Sequence, residues 1–105
     1  DFATSPHHPS NISAMQVTYT GTHDNDTTLG WWNSTKESSR QRVIELIGDN
    51  NDVVGSMIDL ATKASSELCI IPLQDILRLD SAARMNMPGV EQGNWRWRFS
   101  WPELI

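Results

Sequence analysis

Residues 19–27, YTGTHDNDT, form the densest chemical segment of the chain, with an imidazole and two carboxylates close together at His23, Asp24 and Asp26. Three kinds of chemistry suit it. As a metal site it would use all three side chains as ligands. However, neighbouring residues on a strand point to opposite sides, so His23 and Asp24 chelate together only if the backbone bends. A calcium loop would also call for a bidentate Glu at a fixed spacing, which is missing here. No metal is therefore expected. As a turn, the segment would use Asp, Asn and Thr for their ordinary purpose of hydrogen-bonding nearby backbone groups. As a sugar site, a carboxylate beside an imidazole would accept hydrogen bonds from the vicinal hydroxyls of a glucose ring. Those bonds strengthen as the ring flattens and gains positive charge, which is differential binding of a transition state. Residue types alone leave the last two open.

Other reactive types are sparse. Asp26 and Asp75 could be mistaken for a catalytic pair, but both read as structural, orienting loops through backbone N–H groups and side-chain hydrogen bonds. Cys69 stands between Leu68 and Ile70 in an apolar run and reads as a small buried hydrophobe. As the single cysteine it excludes a disulfide within the chain, which fits a reducing compartment such as cytosol or plastid stroma. The five Trp, at positions 31, 32, 95, 97 and 101, read first as packing residues and second as stacking platforms for sugar rings.

The elements that must position these groups follow from pattern. Residues 15–20 alternate around Val17 and Tyr19, a short strand closed by Gly21. The polar residues 22–28 then fall on a loop at its C-terminal end. Residues 29–33 suit a helical turn. The order Ser34, Thr35, Lys36, Glu37 has the form of a capping box opening a helix that carries Val43, Ile44, Leu46 and Ile47 and stops at Gly48. Asp52 is placed to cap a second helix, with Val54, Met57, Ile58 and Ala61 on one face. Residues 68–71 read as a buried strand ended by Pro72. A brief helix over 73–79, a turn over 81–84 and a loop over 85–92 complete the pattern. Two strands joined through helices make a βαβ unit with parallel strands, and in α/β proteins the C-terminal strand edge holds the site.

At 105 residues, with 38% hydrophobic and 20% charged residues, the chain suits one small α/β domain. Its net charge of −5 and pI near 4.9 disfavour a nucleic-acid partner, and no apolar run suggests a membrane span.

Two runs carry a resemblance. Residues 17–27 (VTYTGTHDNDT) followed by Gly30, Trp31 and Trp32 make the first. Residues 72–75 (PLQD), 83–89 (ARMNMPG) and 93–98 (GNWRWR) make the second, in the same order. Together they resemble the 4-α-glucanotransferases of the amylomaltase (disproportionating enzyme) family, over roughly residues 6–99. The resemblance implies an α/β chain that is a fragment of a (β/α)8 TIM barrel, with residues 1–105 as a C-terminal part of one catalytic domain. It implies transfer of an α-1,4-glucan segment to a new 4-hydroxyl by a retaining mechanism. Asp24 matches the acidic residue that stabilises the oxocarbenium-like transition state. His23 matches an imidazole contacting the same sugar, and Asn86 a substrate-contacting Asn. The nucleophile and the acid/base match nothing here. No cofactor is implied. The implied partners are maltooligosaccharides and starch- or glycogen-derived glucans, and the location cytoplasm or plastid stroma. The Pro6, His7, His8, Pro9 segment departs from the family pattern and is given no role.

A full barrel needs about 250 residues, so roughly two-fifths of one is expected at most, truncated at both ends. Alone, such a fragment is expected to be inactive and poorly soluble. An α-glucan hydrolase with the same site, or a non-catalytic glucan-binding module, stands as the alternative.

Overall fold

The computed structural model describes residues 15–48 and 51–104. The segment around His7 and His8 lies outside them. The element order is β1 (Val17–Tyr19), α1 (Thr28–Ser34), α2 (Glu37–Ile47), α3 (Val53–Lys63), β2 (Leu68–Ile70), α4 (Leu73–Ile76), a 3-10 turn (Ser81–Ala83) and α5 (Trp101–Leu104). The two strands pair in parallel, with Val17 opposite Leu68, Thr18 opposite Cys69 and Tyr19 opposite Ile70. This is the expected βαβ unit.

Helix α3 is the hub, packing on α1, α2, α4 and β1. It can do so because Val53, Val54 and Ala61 fall on one side at helical spacing and are buried, while Met57 and Ile58 are half-buried. Burying Val54 contributes about 1.5–3 kcal/mol. Asp52 caps the helix as expected, its Oδ1 accepting from the Gly55 N–H at 3.0 Å. Arg78 donates to the same carboxylate from Nη2 at 2.9 Å. Between α2 and α3 the chain leaves the helix at Gly48, whose φ of +76° lies in the left-handed region that glycine enters freely.

The capping box does not form. Ser34 is the last residue of α1 and its Oγ donates to the Trp31 carbonyl. Lys36 is the N-cap of α2 and makes no side-chain cap. Glu37 instead accepts from Gln41 Nε2 at 3.0 Å. The residues were competing for two helix ends, and the carbonyls of α1 took the hydroxyl. Arg40 completes that end, donating to the Trp32 and Asn33 carbonyls at 3.1 and 3.0 Å with its guanidinium 5.2 Å from the Trp32 ring centroid.

Strand alternation divides the sheet into two faces. Thr18 and Cys69 share the face on which α3 packs. Thr18 is buried and bonded to Ser66, whereas Cys69 is only half-buried rather than enclosed. The opposite face carries Val17, Tyr19, Leu68 and Ile70, which are 44, 51, 61 and 61% exposed. Four large apolar side chains in register are left open to solvent.

The tryptophans also depart from the packing expectation. Trp31, Trp95 and Trp101 are 39, 53 and 69% exposed, and Trp32 and Trp97 are half-buried. Small residues and Val fill the core; the indoles sit at the surface.

Candidate functional site

The C-terminal end of β1 leads into a turn over residues 22–25, closed by the Asn25 N–H to the Thr22 carbonyl at 3.1 Å. Asn25 Oδ1 accepts from the Thr22 N–H at 2.8 Å and so holds the turn from inside. His23 and Asp24 occupy the tip. Because they sit on a turn and not on a strand, their side chains converge, with His23 Nε2 3.3 Å from Asp24 Oδ2 and both about half exposed. The backbone bend that a strand geometry would have denied is present. Among the described residues, no three His, Cys, Asp or Glu side chains group as a metal would require.

The other half of the site comes from beyond β2. Asn86 Nδ2 donates to Asp24 Oδ1 at 2.7 Å. The structure thus brings together all three residues expected from sequence: Asp24 in the middle, His23 at one oxygen and Asn86 at the other. Each carboxylate oxygen has two lone pairs, so Asp24 keeps capacity to accept further donors.

Asp26 and Asp75 behave as the structural residues they were read to be. Asp75 is 2% exposed. Its Oδ1 accepts from the Thr28 N–H at 2.9 Å, and its Oδ2 from the Thr28 and Thr20 hydroxyls at 2.7 and 2.5 Å. One carboxylate thereby ties the end of β1 and the start of α1 to α4. Asp26 accepts from the Thr27 N–H and the Ser81 hydroxyl at 2.8 and 2.7 Å. Gly30 is needed at that junction, since a Cβ there would lie 2.2 Å from Ser81 Oγ.

Two further contributors were not among the expected site residues, and of these Arg84 carried no expected role. Arg84 donates from Nε to the Asn86 carbonyl at 2.9 Å and from Nη2 to the Asp24 carbonyl at 2.7 Å. Trp95 sets its ring 5.0 Å from that of His23, centroid to centroid, and its N–H donates to the Met85 carbonyl at 2.7 Å. It does so with φ of +60°, a conformation an aromatic residue rarely adopts. Nothing local in the sequence announced where the indole would land.

A cleft of about 420 Å³ opens beside the site. Its lining is polar at His23, Asp26, Gln74, Asp75 and Arg84 and apolar at Val17, Tyr19 and Ile70 of the open sheet face, with Trp95 beside them. Asp24 and Asn86 contact polar residues of that lining without lining the cleft.

A family model described as 4-alpha-glucanotransferase matches residues 1–103. The 4-alpha-glucanotransferase of Synechocystis sp. is 48% identical over 97 residues, 90% of this chain and 19% of that protein. The chloroplastic/amyloplastic 4-alpha-glucanotransferase of Oryza sativa subsp. japonica is 44% identical over 95 residues, 89% of this chain and 16% of that protein. The amylomaltase of Streptococcus agalactiae, solved in complex with acarbose, superposes with a TM-score of 0.92 at 26% identity, over 97% of this chain and 21% of that one. The chain therefore spans about a fifth or less of the proteins it matches. With both sequence runs inside the matched region, and the parallel unit and its loops superposing on an amylomaltase, the chain belongs to the 4-alpha-glucanotransferase family.

Proposed function

We propose that this chain is the C-terminal part of a (β/α)8 catalytic domain. The complete protein would transfer a segment of an α-1,4-glucan to the 4-hydroxyl of glucose or another glucan. Asp24 is its transition-state-stabilising carboxylate, His23 contacts the hydroxyls of the same donor glucose, and Asn86 contacts substrate. The observation that carries the reading is the convergence of His23, Asp24 and Asn86 at the strand ends of a family member. Two further facts support the partial-barrel reading: the matched share of the relatives is small, and one whole sheet face stays open. In a barrel that face points inward, where side chains of the other strands fill the space that is here a cleft. The polar lining at His23 and Arg84, not the apolar floor, is then the sugar site.

The chemistry is a double displacement. A carboxylate nucleophile from elsewhere in the protein forms a bond to C1 of the donor as the C1–O4 bond breaks, and an acid from elsewhere protonates the departing 4-oxygen. The acceptor's 4-hydroxyl then attacks C1, giving its proton to the same group, now a base, as the bond from C1 to the nucleophile carboxylate breaks and frees it. Asp24 meets the positive charge that develops at the ring in both steps. Maltooligosaccharides and starch- or glycogen-derived glucans are the substrates, in cytoplasm or plastid stroma. The amylomaltase bound to acarbose supports a sugar ligand.

The test uses the complete protein and maltotriose. Transfer yields longer oligomers plus glucose; only shorter products would make it a hydrolase. Asp24→Asn is expected to lower kcat by about 10²–10³-fold or more while the circular dichroism spectrum is unchanged, with His23→Ala costing less. Near-normal transfer by Asp24→Asn would sink the assignment, and glucan binding without turnover in the wild type would favour a binding module.

A further inference from the structure

The Asp24 carboxylate sits at the tip of an exposed turn, where little local structure fixes it. Its backbone N–H reaches only the Thr22 hydroxyl at 3.3 Å. Asn86 holds one carboxylate oxygen through its side-chain amide, whose reach is set by where the Asn86 backbone lies. One residue fixes both. The Nε and Nη2 donors of Arg84 form one planar edge, and that edge spans the carbonyls of Asp24 and Asn86, residues 62 positions apart in the chain.

We propose that Arg84 is a positioning residue: its guanidinium clamps the turn carrying Asp24 to the loop carrying Asn86 and so sets where the Asp24 carboxylate meets the donor sugar. The loop it reaches from is itself anchored, by Gln74 Nε2 donating to the Ala83 carbonyl at 3.3 Å and by the Trp95 N–H donating to the Met85 carbonyl. The clamp therefore transmits the position of the second loop to the first. A lysine cannot replace it, because a single ammonium lacks the flat two-donor edge that spans two carbonyls. The inference rests on the reading of Asp24 as the residue that stabilises the transition state. A carboxylate that acts on developing charge is sensitive to displacement, and about 1 Å costs on the order of 10²-fold in rate.

The experiment compares Arg84→Lys, Asp24→Asn and the double variant in the complete protein, with maltotriose as substrate and thermal melting in parallel. Arg84→Lys is expected to lower kcat about 10–100-fold with KM little changed, because the lost interaction is one made in the transition state. Added to Asp24→Asn, the same change is expected to cost no more than about twofold, since a residue acting through Asp24 has nothing left to position. If Arg84→Lys fails to fold, Arg84→Gln, which keeps a donor for one carbonyl, takes its place. A purely structural arginine would lower the melting temperature and leave the kcat of the folded fraction intact, and that result overturns the proposal. So does a full, independent loss in the double variant, or a raised KM at unchanged kcat. In each of these cases an inactive Asp24→Asn enzyme leaves the functional reading standing; a near-normal Asp24→Asn enzyme overturns both.

Discussion

A carboxylate can be built into a site as an instrument or as a bolt, and on the function proposed above this chain contains both. Asp24 is half exposed with lone pairs to spare, the condition for receiving sugar hydroxyls. Asp75 is enclosed and its acceptors are taken up by Thr20 and Thr28. Removing it strands a buried N–H and two hydroxyls, and each buried unsatisfied group costs about 1–3 kcal/mol. Asp75→Ala is therefore expected to lower the melting temperature of the complete protein by several degrees, more than any change at Asp24. Equal melting of the two variants would show that the bolt is not where we place it. A strand ending at Gly21 put His23 and Asp24 on a loop in the sequence, but only the resemblance of residues 17–27 to a family separated a sugar site from an ordinary turn. The supports of that site were not legible. The roles of Arg84 and Trp95 depend on contacts across 60 and 72 positions and on a left-handed backbone at Trp95, and neither leaves a local pattern.

Among the elements, α3 shows how much a helix gains from the residue that caps it. The hydrogen bond from Arg78, then that from the Gly55 N–H, holds the Asp52 carboxyl below its ordinary value of 3.8. A carboxyl depressed on folding contributes stability that is complete above its ordinary pKa and is lost as the pH falls through the lowered one. The pair is solvent-screened at the surface, so the gain is no more than about 1 kcal/mol. Asp52→Asn keeps a good cap and loses the charge. The variant is expected to melt below the wild type at pH 6, with the gap closing by pH 2; a gap that persists in acid would assign the effect to the cap and not to the ion pair. Asp52 was readable because a capping residue before an apolar helix is a local signal. Ser34 and Glu37 carried an equally good signal that failed, because the two-residue space between α1 and α2 let the end of one helix claim the hydroxyl meant for the start of the next.

Among the described residues, the molecule is a parallel strand pair with α3 packed against β1 and one apolar face left open. Its open face of Val17, Tyr19, Leu68 and Ile70 is the kind of contiguous apolar surface that soluble monomers seldom display. Produced alone, the chain is expected to self-associate in analytical ultracentrifugation and to show no maltotriose transfer; a monodisperse monomer with cooperative unfolding would count against its being part of a barrel. The alternation of residues 15–20 announced the β1 half of this face, whereas residues 68–71 read as a buried strand and Leu68 and Ile70 lie open instead. The site's architecture also has a history in time. Its joints link Thr28 to Asp75 across 47 positions, Asp26 to Ser81 across 55 and Asp24 to Asn86 across 62, whereas the helices close on neighbours. Long loops must be closed before their contacts give any return. Helices therefore come first on refolding, the strand pair next and the carboxylate's setting last. Solvent-exposed bonds at the tip make it the first part to loosen again. The setting of Asp24 is thus expected to be the last part formed on folding and the first lost on unfolding, which pulsed hydrogen exchange would check.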